Sequence, residues 1–266
     1  MVRFFVSPFD VSSDYIALTA EDNEHIRALR LRPDELFVVC DGNGVDYICC
    51  LGERDRSGGG GIGGVGGGGS GGDGSGGVGG GSATAKILRQ QQSVGEPSVT
   101  CSVYIAFQKG DRLDYAVQKS VELGAKRIVL YESERCVATP HDIIKKIARL
   151  QRIALETAKL SGRGIIPEVT SVGKFDMMID DAASRSALSL FFYECEEDLS
   201  VRDILTGCEI ESVSIITGPE GGFEPHEAKM ARSKGFHVAS LGPRILRSET
   251  APVVALAAVM YQSGNF

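Results

Sequence analysis

Two short stretches near the C-terminus hold residues that could do chemistry. They are "ITGPEGGFEPHEA", Ile216 to Ala228, and "SLGPRILRSETAP", Ser240 to Pro252. The second sets Arg244, Arg247 and Glu249 within six positions, beside Ile245 and Leu246. A surface turn rarely needs two apolar residues flanked by two arginines. A pocket for an amphipathic ligand does, because backbone groups serve the ligand's polar edge and apolar side chains its flat faces. In the first stretch Gly218, Gly221 and Gly222 permit close backbone approach and φ > 0, and Pro219 stiffens the turn. A tight turn that caps a helix uses the same residues, so "GPEGG" alone leaves both readings open. A phosphate-gripping loop is disfavoured, since no Lys or Mg²⁺-binding carboxylate accompanies the glycines.

The elements around these loops decide where they act. Each follows an apolar strand-like run and precedes a helical stretch: "SIIT" then "EPHEAKMARSKG", and "HVASL" then "TAPVVALAAVMYQ". In an open α/β sheet, ligands bind beyond the carboxyl ends of strands, which is where both loops fall. From Cys101 onward the runs "CSVYIAF", "RIVLY", "ALSLFFY", "VSIIT" and "HVASL" alternate with helical stretches. That alternation predicts an α/β domain over 96–266, with a parallel sheet covered on both faces. Within it Asp111 to Leu123 reads as a helix with an Asp cap, an apolar face of Leu113, Ala116, Val117 and Val121, and Gly124 as its stop. "DIIKKIARLQRIALETAKL" has the same amphipathic period. Residues 1–95 read as a smaller β domain: a strand "VRFFV", a Thr-capped helix, the hairpin "LFVVC-DGNG-VDYICCL" and a further run "ATAKILRQQQ". Between the last two, over 57–82, 18 of 26 residues are Gly. Such a tract has little to bury in return for ordering, and it reads as a flexible insertion.

The totals narrow the class. The chain has 266 residues, 42% of them hydrophobic and 24% charged, which are globular values. No apolar run reaches the ~20 residues of a membrane helix, and the opening segment lacks the apolar core of a signal peptide. A cytoplasmic protein is the expectation. Seven cysteines form no CxxC pair and the four histidines are scattered, so reduced thiols and no metal are expected. The net charge of −7 hides an asymmetry. Lys109 to Arg163 carries twelve Lys/Arg against seven Asp/Glu, and Gly164 to Ile216 three against eleven. A basic middle segment survives the acidic average.

Motifs in order along the chain now carry a resemblance. "RFFV", "QKGDRLDYAVQKSVELG", "ESERCV", "SGR…IPEV", "TGPEGGF" and "LGPRILRSETA" resemble the RsmE-type 16S rRNA uridine-N3 methyltransferases of the SPOUT superfamily. Departures are the Gly-rich insertion, "NEHI" where the family often has a second His, and "ETAKLSGR" where it usually has Gln before Ser. The resemblance implies a C-terminal trefoil knot, a small PUA-like β-barrel in front of it, and a homodimer. It also implies S-adenosyl-L-methionine as cofactor, held in the knot by three segments. These are Tyr193 and Glu194; Thr217, Gly218, Pro219, Glu220, Gly221 and Gly222; and Leu241 to Thr250, including Leu241, Gly242, Ile245, Leu246, Arg247 and Thr250. The implied substrate is 16S rRNA within the small ribosomal subunit.

On that reading Arg247 stabilises negative charge developing on the uracil, and Glu249 or Thr250 orients it or helps to remove the proton. The alternative is that Arg247 and Glu249 only pair to hold the loop. RNA contacts are expected from Arg3, Arg135 and Arg163. Further ones are expected from Arg27, Arg30 and Arg32 in the small domain, from Lys109, Arg112 and Lys119, and from a helix stripe of Lys145, Arg149 and Arg152. A non-catalytic RNA-binding scaffold is the other class. It differs in having no reason to keep "GPEGG" and "RILRSET", or to bind S-adenosylmethionine.

Overall fold

The computed structural model describes residues 1–7, 11–12, 14–52, 84–137 and 142–266. The Gly-rich tract read as an insertion, and His141, lie outside the described residues. The chain divides into two compact units, Met1–Gln92 and Ser93–Phe266, a boundary a few residues before the expected one.

Among the described residues the first unit is a five-stranded sheet with one helix. Its strands are β1 (Arg3–Phe5), β2 (Tyr15–Ala17), β3 (Phe37–Cys40), β4 (Val45–Leu51) and β5 (Thr84–Gln92), in the order β1-β3-β4-β5-β2. The expected hairpin is β3–β4, and its turn is tied by Asp41 Oδ1 accepting from the amides of Asn43 and Val45. The expected Thr cap is Thr19, whose side chain accepts from the Asp22 amide at the head of α1 (Ala20–Leu29). Phe4 and Phe37 meet edge to face at 5.6 Å in the core. Beside them Arg3, with a side chain 8% exposed, donates to both carboxylate oxygens of buried Asp46 at 2.5 and 2.8 Å. Arg3 is therefore a structural cation, and the expectation of an RNA contact there is corrected.

The second unit is the expected α/β domain. Six strands, β6 (Thr100–Ala106), β7 (Arg127–Glu132), β8 (Glu168–Lys174), β9 (Leu188–Phe192), β10 (Ser212–Thr217) and β11 (His237–Ala239), lie in the order β11-β9-β10-β6-β7-β8, all parallel. The helices are α2 (Arg112–Glu122), α3 (Ile143–Ser161), α4 (Phe175–Arg185), α5 (Val201–Leu205), α6 (Pro225–Ser233) and α7 (Ala251–Gln262). The five apolar runs became β6, β7, β9, β10 and β11. The sixth strand, β8, is an edge strand without an apolar run, and of its residues only Val169 is buried. Asp111 does precede α2, but its side chain makes no capping bond. Among the described residues no helix is long and apolar enough to cross a membrane.

Strands β6, β7 and β8 step outward in one direction, while β10, β9 and β11 lie on the other side of β6. The order thus reverses between β6 and β10, and the crevice at such a reversal is where α/β sheets bind ligands. The far end of the unit is held by Arg163. Its side chain is 2% exposed; Nε and Nη2 donate to Glu96 at 2.9 and 2.8 Å, and Nη1 to the carbonyls of Val121 and Ala125. It thereby ties the end of α3 to the end of α2. The expected RNA contact at Arg163 is corrected for the same reason as at Arg3: the guanidinium is spent inside the protein. Breaking a buried, hydrogen-bonded pair from one side costs about 3 kcal/mol or more. Arg163→Met should therefore lower the urea midpoint of the full chain by a corresponding amount. An unchanged midpoint would mean that the Arg163–Glu96 pair contributes little to the fold.

Candidate functional site

Strands β11, β9 and β10 are neighbours and end side by side, so the chain leaving each one turns into a loop at the same edge. The three loops, 193–200, 218–224 and 240–250, together with Arg112, enclose a cleft of about 1020 Å³. Of the residues expected around a cofactor, all line this cleft except Thr250, which lines a smaller neighbouring cavity.

The loop after β10 is held from below. Tyr131 donates its hydroxyl to the Thr217 carbonyl at 2.9 Å, both groups buried. Glu227, on α6 and 2% exposed, accepts from Ser133 Oγ, the Glu134 amide and the Glu224 amide at 2.9, 3.2 and 2.9 Å. "ESERCV" is thereby bolted to the exit of "GPEGG". A glutamate three residues past a helix start was the available signal for this contact. From the same segment Arg135 donates to Glu224 at 2.6 Å and to the Gly221 carbonyl at 3.1 Å. Its guanidinium, expected on RNA, also holds the loop, while the side chain stays partly exposed.

These partners explain the glycines differently from ligand approach. A Cβ on Gly222, at φ +70°, would lie 1.6 Å from Glu194 Oε1, the atom that accepts from the Phe223 amide. A Cβ on Gly221 would lie 3.0 Å from the Arg135 Cβ, and one on Gly218 3.0 Å from the Phe223 ring. Only Gly222 of the three has positive φ. The chain packs against itself here, and the glycines make room for that packing. The loop also leads into α6, so turn and pocket wall are one structure.

The other two walls are cross-linked. The Ser240 amide donates to the Leu199 carbonyl and the Val201 amide to the Ser240 carbonyl, joining the loops after β11 and β9. Buried Glu196 accepts from the Asp198 and Leu199 amides and pairs with Arg232. Gln108, beyond β6, donates to the Ser248 carbonyl at 3.0 Å. Arg112 lies between the loops, 2.8 Å from Glu220 and 3.9 Å from Glu249. Burial raises the Glu220 pKa, but the Lys109 amide, its own amide and the Arg112 guanidinium outweigh this and hold it below the usual value. Gln108, Glu196 and Glu227 were not among the expected site residues, and Arg112 was expected on RNA rather than at a cofactor cleft. Arg112 and Gln108 do fall in or beside "QKGDR", a motif that carried the resemblance.

The side chain of Arg247 is 82% exposed, and Nη1 lies 4.0 Å from Glu249 Oε1. A contact that long, from a side chain that free, does not hold a loop. Glu249 is the more buried partner, with Ser248 Oγ at 3.3 Å. The site thus joins a backbone-walled cleft, a free guanidinium at its rim and a carboxylate beneath.

Comparison with known proteins identifies the family. A family model for the RNA methyltransferase domain matches residues 95–260, and the chain belongs to that family. Within it, the chain is similar to the Ribosomal RNA small subunit methyltransferase E of Synechocystis, 28% identical over 259 residues, 97% of this chain and 76% of that protein. The Bacillus subtilis protein of the same name is 31% identical over 194 residues, 65% of this chain and 76% of the relative. A solved structure from Neisseria gonorrhoeae, bearing the same name and bound to S-adenosyl methionine, superposes with a TM-score of 0.77. It is 27% identical and the match covers 98% of this chain and 97% of that one.

The packing around Gly222 can be tested directly. Gly222→Ala must displace Glu194, break its bond to the Phe223 amide and strain the backbone, and should destabilise the protein by about 2–3 kcal/mol. Gly242→Ala, at φ +105° with nothing within 4 Å of the added methyl, should show the backbone cost alone. Equal losses for the two in chemical denaturation would show that Glu194 moves aside freely.

Proposed function

We propose that this chain transfers a methyl group from S-adenosyl-L-methionine to N3 of one uridine in 16S rRNA, in the cytoplasm and on the small ribosomal subunit. The observation that carries the reading is the cleft at the ends of β9, β10 and β11, with Arg247 at its rim and Glu249 beneath. The relatives' names support the substrate class, and the Neisseria gonorrhoeae structure supports the cofactor.

The residues present suit that cofactor. A volume of about 1020 Å³ accepts a nucleoside with an amino-acid tail. Leu241, Ile245 and Leu246 offer apolar surface for an adenine, and the backbone of 217–222 offers polar groups for its edge. Exposed Glu194 and Glu197 set negative charge beside a site for a sulfonium and an ammonium. When bound, S-adenosylmethionine supplies an electrophilic methyl: the N3–C bond forms as the S–C bond breaks, and the sulfur leaves as a neutral thioether. The chain's own part is to align the two centres and manage charge. Arg247 is free to meet a uracil oxygen and stabilise the anion left when N3 loses its proton. Glu249 orients Arg247 or takes that proton, and Thr250 flanks both.

The knot belongs to the same proposal, supported by the bonding of the chain after β11 to the chain after β9. So does a PUA-like role for the first unit, where Arg27 and Arg30 are exposed on and beside α1. On α3, Lys145, Arg149 and Arg152 are all exposed and share a face that suits an RNA backbone. Arg149 also holds Asp114 at 2.5 Å.

The function is tested by incubating the protein with small subunits and labelled cofactor and mapping the product. Methyl on N3 of a single uridine is expected, while methyl on a ribose oxygen or on carbon 5 would refute the N3 assignment. Arg247→Ala should lower the rate at saturating cofactor by ~10²-fold. An unchanged rate would remove Arg247 from the chemistry. We further propose a homodimer through α7. Its Leu256, Val259 and Met260 are buried, yet Val254 and Tyr261 are exposed, with Ala257 and Ala258 half-buried between them. A helix apolar on both sides is covered on both. Sedimentation at micromolar concentration should give the dimer mass, and a fully active monomer would overturn this.

A further inference from the structure

Beside the large cleft lies a second cavity of about 610 Å³, lined by Lys109, Gly110, Asp111, Arg112, Tyr115, Glu249 and Thr250. Arg112 and Glu249 line both cavities, so these two side chains form the partition between them. A group in the smaller cavity would adjoin a methyl donor in the larger one at the Arg112–Glu249 pair, whose Nε and Oε2 lie 3.9 Å apart. The reaction needs two ligands with their reacting atoms adjacent, and this geometry provides adjacent places.

We propose that the smaller cavity receives the acceptor base of single-stranded RNA, with the ring of Tyr115 as its stacking platform. This rests on the proposed methyl transfer to RNA. Three observations carry it. Tyr115 is 46% exposed although it sits on α2, whose other apolar residues Leu113, Ala116, Val117 and Val121 are buried. An aromatic left facing an open cavity is what base recognition uses, since every base has a π-face. Secondly, the ring is supported: Lys119, one turn along α2, holds its ammonium 5.9 Å from the ring centroid and is itself anchored 2.7 Å from Glu122. Lys119 thus steadies Tyr115, a different task from the phosphate contact expected of it. Thirdly, the remaining lining is mostly polar. Arg112 offers donors for carbonyl oxygens of a pyrimidine, Glu249 an acceptor for an N–H, and exposed Lys109 a cation for the adjoining phosphate. That donor–acceptor set matches a base bearing an N–H between two carbonyls. Arg112 is held toward the partition by Glu220 at 2.8 Å, which makes Glu220 a positioning residue for it.

The chain contains no tryptophan, so Tyr115→Trp places its sole indole in this cavity. With saturating S-adenosylmethionine present, oligouridylate should quench that fluorescence more than an oligoribonucleotide of equal length whose bases are removed. Equal quenching, or none, overturns the proposal. Separately, Tyr115→Ala should lower methyl transfer to small subunits by about tenfold or more. Tyr115→Phe should recover most of that loss, and cofactor affinity by calorimetry should stay unchanged in both. A Tyr115→Ala variant with the wild-type rate, or one whose loss is matched by lost cofactor affinity, also overturns it. If wild-type protein transfers no methyl to small subunits while oligouridylate still quenches the indole, the base site stands and the proposed reaction falls.

Discussion

The buried carboxylate of Glu227 is the contact on which the cleft depends. It reaches from the first turn of α6 to Ser133 and Glu134 beyond β7, and back to the Glu224 amide at the head of its own helix. A carboxylate taken out of water is tolerable only when hydrogen-bond donors replace the water, and three groups from two segments do so here. The consequence is geometric. Once those segments are joined, Arg135 falls within reach of Glu224 and Gly221, and the Gly218–Gly222 loop is fixed at both ends. The Glu194 carboxylate then closes the loop against β9 through the Phe223 amide. The cleft is rigid because each wall bonds to another.

Charge is arranged around that frame with a division already present along the chain. The acidic segment supplies Glu194, Glu196 and Glu197 to the cleft. The basic segment supplies Lys109 and Arg112 to the smaller cavity, together with the exposed faces of α2 and α3. On the proposed function, a cationic donor and an anionic polymer would meet surfaces of opposite sign. Arg112 is central to this separation, because it neutralises Glu220 and approaches Glu249 while remaining part of the basic side. Cations buried elsewhere do not take part: Arg3 and Arg163 neutralise carboxylates within the fold.

Much of this was legible before any coordinates. Period and length identified five of the six strands of the second sheet, and alternation made the sheet parallel. Cap and turn residues placed α1 and the β3–β4 hairpin, and amphipathic period placed α3, since those signals act within a few residues. The loops at the ends of β10 and β11 were recognisable because special-backbone residues follow apolar strands, and thirteen of the fourteen cofactor residues implied by the resemblance line one cleft. The edge strand β8 escaped because a strand covered by few neighbours needs few apolar residues.

By itself, then, the sequence determined periodicity, caps, turn chemistry and the family, all carried by neighbouring residues or ordered motifs. Only the tertiary structure decided which charges are spent. Arg163 meets Glu96 across 67 residues and Arg3 meets Asp46 across 43, and nothing local marks such partners. Only the tertiary structure showed what each glycine makes room for: Glu194 at Gly222, Arg135 at Gly221, Phe223 at Gly218. The cavity beside Tyr115 likewise exists only where α2 meets the loop after β11. A side chain's type is fixed by its codon, but its hydrogen bonds and exposed surface depend on what folding brings beside it from elsewhere in the chain.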